Sequence, residues 1–200
     1  MKRLLHITYA LFRATVFATF AYRGSFIAGV VSNILWIALS LISISIVTYQ
    51  SPMVGGGTRL ELFLVQGVYS IILGTMYFLF IANFRDVSRL IRRGDLDLIL
   101  VKPYDSQYLV SIGKFSLHTL ARIVSGVLLI VYVMQVLHIT PSIPTILLFC
   151  LFLVSSMVIV YSIWFGVTTT LIWFTDLFNL DELFVQITGA TRYPLEVLRH

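Results

Sequence analysis

Hydrophobic and charged positions segregate along this chain into long blocks. Runs without a single Asp, Glu, Lys or Arg extend over 24–58, 62–84, 123–139 and 140–175, the last two abutting at a proline-marked turn. A crossing of a hydrocarbon core about 30 Å thick needs roughly 20 mostly apolar residues. Helices of a soluble domain would instead carry polar residues along one face. The blocks therefore predict an all-α polytopic membrane protein with at least four transmembrane helices, at about 25–48, 60–82, 123–139 and 146–172. Gly24 and the polar Tyr49-Gln50-Ser51-Pro52 bracket the first. Gly55-Gly56-Gly57 marks a flexible turn, and Pro141 with Pro144 a tight outer one. The fourth uncharged run is longer than one span needs and too short for two, which predicts a tilted helix or a span followed by an interfacial turn.

The segments between the blocks differ in kind. Residues 1–23 are apolar but carry Lys2, Arg3, Arg13 and Arg23, the pattern of an interfacial helix whose basic groups reach headgroups. Arg13 and Arg23 also interrupt what a cleavable signal would keep apolar. Segment 83–114 is the one substantial hydrophilic stretch, with six basic and four acidic residues. In 177–200, Asp181 and Glu182 each cost about 3 kcal/mol at a bilayer centre, so this region reads as a partial fifth segment. No closing hydrophobic run follows Tyr193-Pro194, as expected of a fragment.

Composition changes the picture mainly through the placement of charge. The chain is 58% hydrophobic and 12% charged, against about 25% charged in soluble domains. Its 14 Lys and Arg against 9 Asp and Glu give a net charge of +5. In a soluble protein that balance would suggest nucleic acid; here the basic residues cluster in 1–23 and 83–114, while the intervening loops hold only Arg59. Basic short loops stay cytoplasmic, so both segments are expected on that face. The lone Cys150 excludes an intrachain disulfide and reads as a small apolar filler.

Within the hydrophilic segment, Phe84, Val87, Leu90 and Ile91 recur at helical spacing, with Arg85, Arg89, Arg92 and Arg93 on the remainder. Gly94 suits a left-handed helix stop after two cations that favour the helix dipole. An apolar stretch follows, Leu96 to Val101, until Lys102-Pro103 breaks it. The pattern predicts either a docking knob for a soluble partner or a solvated connector.

The string FRDVSRLIRRGDLDLILVKPYDSQYLV resembles the segment between the second and third spans of type-2 ATP-binding-cassette (ABC) exporter permeases. It is similar in particular to the bacterial branch with an I-R-x-G-x-L-D-x-x-L-x-x-P signature. The matching positions are Ile91, Arg92, Gly94, Leu96, Asp97, Leu100 and Pro103, with Lys102 where arginine is commoner. The basic N-terminal segment, the order of spans and Tyr193-Pro194-Leu195 extend the resemblance over essentially all 200 residues. It implies a coupling helix seated in a cleft of an ATP-binding subunit and a translocation path shared with a second permease chain. Partner contacts are thereby expected at Arg85, Arg89, Leu90, Ile91, Arg92, Arg93, Gly94, Leu96, Asp97, Leu100 and Pro103, and the location is the bacterial inner membrane. Family members usually have six spans; the sixth is missing from this sequence.

No phosphate-binding G-x-x-x-x-G-K-[ST] loop is present in the sequence, so ATP hydrolysis is expected in the partner and no cofactor in this chain. No metal-ligand spacing or nucleophile elbow appears either. Lys114, His118 and Arg122 fall four apart at the start of the third span, more in keeping with snorkelling than with a path entrance. Asn33, Gln66 and Gln135 are candidates for hydrogen bonds between spans, and Gly67 with Gly74 for close helix approach. Trp36, Trp164 and Trp173, with Tyr49, Tyr161 and Tyr193, are candidate interfacial anchors. The rival reading is a nucleotide-independent channel or membrane scaffold; an intramembrane enzyme is weaker, because no paired catalytic groups fall in the spans.

Overall fold

The computed structural model describes residues 2–50, 57–95, 97, 101 and 105–170, and among these the regular structure is helical. Four of the helices are long and apolar enough to cross a membrane. In chain order the elements are α1 (Lys2–Ala21), α2 (Arg23–Gln50), α3 (Arg59–Met76), a π-helical turn (Tyr77–Ile81) and α4 (Ala82–Arg93). These are followed by α5 (Ser106–Ser111), a short 3-10 turn (Leu117–Thr119), α6 (Leu120–Val136) and α7 (Ile143–Thr170). The partial fifth segment at 177–200, with Trp173 and Tyr193, lies outside the described residues.

The tightest pairing is between α3 and α6, and glycine makes it possible. A Cβ on Gly126 would stand 2.7 Å from the Gly67 carbonyl oxygen, and one on Gly67 would stand 2.7 Å from Ile130 Cγ1. Two turns further along α3, a Cβ on Gly74 would meet Ile123 Cγ1 at 2.7 Å. Lipid tails are as apolar as leucine, so spans associate through close packing rather than hydrophobic burial, and small residues allow the backbones to approach. Gly67 and Gly74 thus do lie on the seam. Gly126, which completes it, and Gly29 of α2, which admits the His118 ring, are not singled out by the sequence pattern.

Outside this pair the spans turn apolar side chains outward. On α7, Leu147, Leu151 and Phe152 are all more than half exposed, and on α2 so are Leu35, Leu39 and Ile46. In a bilayer such faces meet lipid or another protein. At one end Arg59 ties α3 to α2 by donating from Nη2 to Ser45 Oγ at 2.8 Å, while its guanidinium lies over the Phe63 ring. Thr58 and Glu61 form a capping box at the same helix start. The 28 residues of α7 give a rod of about 42 Å, long enough to cross with considerable tilt.

Three boundaries depart from the sequence reading. Pro144 is not part of the turn but lies in the first turn of α7, where its missing N–H costs nothing. Segment 83–93 is the helix its spacing implies, α4, but no connector sets it apart from the second span: no proline or glycine interrupts 75–93, and the span continues through the π turn directly into it. Lys114, His118 and Arg122 do not form one helical face, because α6 begins only at Leu120.

Candidate functional site

At the end of the bundle opposite Arg59, α4 and the chain returning to α6 are joined through one buried amide. Asn83 sits in the first turn of α4 with its side chain buried. Its Oδ1 accepts from the backbone N–H of Gly113 at 3.1 Å and of Lys114 at 2.7 Å. Its Nδ2 donates to the carbonyls of Leu79, Ser111 and Lys114 at 2.8, 2.9 and 3.0 Å. Two N–H groups serve three acceptors, so one bond is shared. The turn at 112–114, just past the end of α5, has no regular structure to satisfy its own backbone, and the amide supplies the partners that burial demands. Alongside, Lys114 Nζ donates to Asp86 Oδ2 at 2.5 Å. With the lysine 69% exposed, that pair contributes on the order of 0.5 kcal/mol.

A second weld joins α4 to α7 through aromatic rings. The Tyr161 ring lies 4.7 Å from Phe80, 6.0 Å from Phe84 and 5.8 Å from Phe165. Trp164 packs edge-on against Tyr77 at 6.3 Å, and Met76, Ile81 and Phe84 fill the centre. Each well-placed ring pair contributes about 0.5–1.5 kcal/mol beyond its buried area. The Tyr161 hydroxyl also bonds Ser111 Oγ at 2.9 Å and accepts from Gln107 Nε2 at 3.1 Å, so α5 is held as well. Tyr161 is a half-buried hub rather than an exposed interfacial anchor.

The N-terminal helix closes the same end. Thr8 Oγ1 hydrogen-bonds the Tyr108 hydroxyl, and the Phe12 and Phe115 rings meet edge to face at 5.6 Å. Phe115 also packs on Phe78 of the π turn at 5.5 Å. Segments 1–23 and 83–114, the two basic clusters in the sequence, therefore share one face of the bundle.

The tip of α4 has the stop that its sequence implies. Gly94 takes φ 73°, its N–H bonds the Ile91 carbonyl at 3.1 Å, and the Asp95 N–H bonds that of Leu90 at 2.9 Å. This is the Schellman pair of bonds around a left-handed residue. Gly94 and Arg85 are exposed, Leu90 and Ile91 half-buried, and the Arg85 guanidinium lies 5.9 Å from the Tyr77 ring. Arg89, Arg92 and Arg93 belong to the same helix, and Asp97 is exposed just beyond it. Leu96, Leu100 and Pro103 lie outside the described residues. Asp105 caps α5 by accepting from the N–H groups of Gln107 and Tyr108 at 2.9 and 3.3 Å.

The three basic residues near the third span have separate partners. Lys114 pairs with Asp86, His118 lies against Gly29, and Arg122 stacks over Tyr69 at 5.8 Å. Of the polar residues inside the spans, Asn33 bridges α2 to the His118 carbonyl at 3.4 Å, Gln66 donates to Ser70 within α3, and Gln135 faces outward. Among the described residues no cluster of His, Cys, Asp and Glu could hold a metal ion. Among the described residues the arrangement is a knuckle that joins the second span, the fourth span and the entrance of the third.

A family model described as "ABC-2 family transporter protein" matches residues 34–200. No curated protein and no solved structure matches the chain.

Proposed function

The chain belongs to the ABC-2 family of transporter proteins, and from that premise we propose that it is an export permease driven through segment 83–114. As a member it is the membrane component of an ABC transporter, a multi-pass protein that associates with ATP-binding subunits. In this reading 1–23 and 83–114 face the cytoplasm of a bacterial cell, and a second permease chain completes the translocation path. Closure of the ATP-binding pair presses on the α4 tip. Arg85, Arg89, Arg92 and Arg93 pair with acidic groups of the cleft, Leu90, Ile91 and Leu96 meet its apolar floor, and Gly94, Asp97, Leu100 and Pro103 complete the partner contact.

The observation that carries this reading is the Asn83 clamp. A solvated connector needs no buried amide with five backbone contacts, whereas a lever must be tied to the segment it moves. The clamp and the Tyr161 rings make a push on α4 a push on α6 and α7 together. The experiment is co-purification of the ATP-binding subunits with Leu90→Asp, Ile91→Asp and Gly94→Val chains. Retention of the subunits should fall at least tenfold, with loss of ATPase activity in the assembled complex. Wild-type retention with all three substitutions would sink the assignment.

A further inference from the structure

The helix from Arg59 to Arg93 contains five π-helical residues, Tyr77–Ile81, between α3 and α4. A π turn closes i→i+5 bonds in place of i→i+4, and single such turns recur at functional sites. We propose that this turn is a register switch: under load its surplus residue is absorbed into regular α-helix, and α4 turns relative to α3. Absorbing one residue rotates everything beyond it by about 100° and advances it by about 1.5 Å. The proposal rests on the reading that ATP-binding subunits press on α4.

Its support is the way the turn is braced. Upstream, α3 is fixed by Gly74 lying against Ile123. Downstream, Asn83 holds the 111–114 segment to α4, so that segment must travel with α4. Between them, the Phe78 carbonyl inside the π turn accepts the Ser116 N–H at 3.2 Å. In a regular α-helix the partner of residue 78 would be the N–H of residue 82. Conversion moves the intrahelical partner of this carbonyl from the N–H of residue 83 to that of residue 82 and turns the carbonyl away from the Ser116 N–H, which releases the entrance of α6. The Arg85 contact to the Tyr77 ring spans the turn and opens in the same step. The Asn83 bonds to 111–114 lie beyond the turn and the Ser116 latch within it, while the Asn83 bond to the Leu79 carbonyl crosses between them.

Deleting Leu79 removes the surplus residue while leaving the α4 face where it now points. In the full complex, reconstituted into phosphatidylethanolamine–phosphatidylglycerol vesicles, the deletion should keep the ATP-binding subunits bound at the wild-type level. It should lower ATPase activity at least tenfold. Activity within twofold of wild type overturns the switch. If the subunits dock elsewhere, the separate Leu90, Ile91 and Gly94 substitutions leave co-purification intact whatever the deletion does, so the two failures are distinguishable. Should the deleted chain not fold, hydrogen exchange on the wild-type complex decides. With a non-hydrolysable ATP analogue the Ser116 amide should exchange at least tenfold faster while Gly113 and Lys114 stay protected; an unchanged Ser116 amide overturns the proposal.

Discussion

Replacing Asn83 with alanine removes one side chain and strands the backbone groups it serves. The Gly113 and Lys114 N–H groups lose the Oδ1 acceptor at 3.1 and 2.7 Å, and the carbonyls of Ser111 and Lys114 lose the Nδ2 donor at 2.9 and 3.0 Å. Leu79 is the mildest loss, because its carbonyl lies within a helix. A hydrogen bond contributes about 1 kcal/mol net, and a buried group left unpaired costs about 1–3 kcal/mol. Gly113 is half-buried and Lys114 exposed, so water recovers part of the loss. The local opening energy should then fall by about 2–3 kcal/mol, which is roughly 30- to 150-fold in an opening equilibrium. Hydrogen exchange read by mass spectrometry in lipid nanodiscs measures this directly: the 111–114 amides should exchange faster by that factor, while 126–133 in α6 stays unchanged. Asn83→Asp separates the two halves of the clamp. Its carboxylate still accepts from Gly113 and Lys114 but can no longer donate to the three carbonyls, so protection at 113 and 114 should largely survive. Exchange in the alanine variant within threefold of wild type would refute the assignment of Asn83 as the clamp.

Two further substitutions probe the packing. Gly126→Ala sets a methyl 2.7 Å from a backbone oxygen that cannot rotate away, so it should destabilise the fold by about 1–3 kcal/mol; Gly166→Ala, with nothing within 4 Å, should be neutral or slightly stabilising, as denaturant titration in detergent would show. Tyr161→Phe keeps the rings but deletes the bonds to Ser111 and Gln107, for a loss of about 1–2 kcal/mol and faster amide exchange in α5 without change in α3.

The spans were legible because lipid imposes a length and a composition that a single sequence records directly. The Gly94 stop was equally legible, since one residue type and the cations before it carry the signal. Tertiary partners were not. Asn83 is one amide among several in apolar surroundings, and nothing in its spacing distinguishes it from Gln135, which faces outward. What sets it apart is a return loop 28–31 residues later in the chain, a distance over which no periodicity runs. Gly126 was missed because its partner glycine lies on another helix. The continuity of α3 with α4 is hidden in the sequence because the onset of charge at Arg85 looks like a structural boundary and marks only a change of solvent. Lys114, His118 and Arg122 misled for the opposite reason: their regular spacing belongs to a helix that has not yet begun.

The near contact of the Gly67 and Gly126 backbones carries a mechanical consequence. Two helices seated so closely cannot slip past each other without lifting apart, so they bend and tilt as one thick beam. Whatever displacement reaches this permease from below must therefore be taken up at its slender outer members, α2 and α7, whose flanks carry most of the uncovered apolar surface.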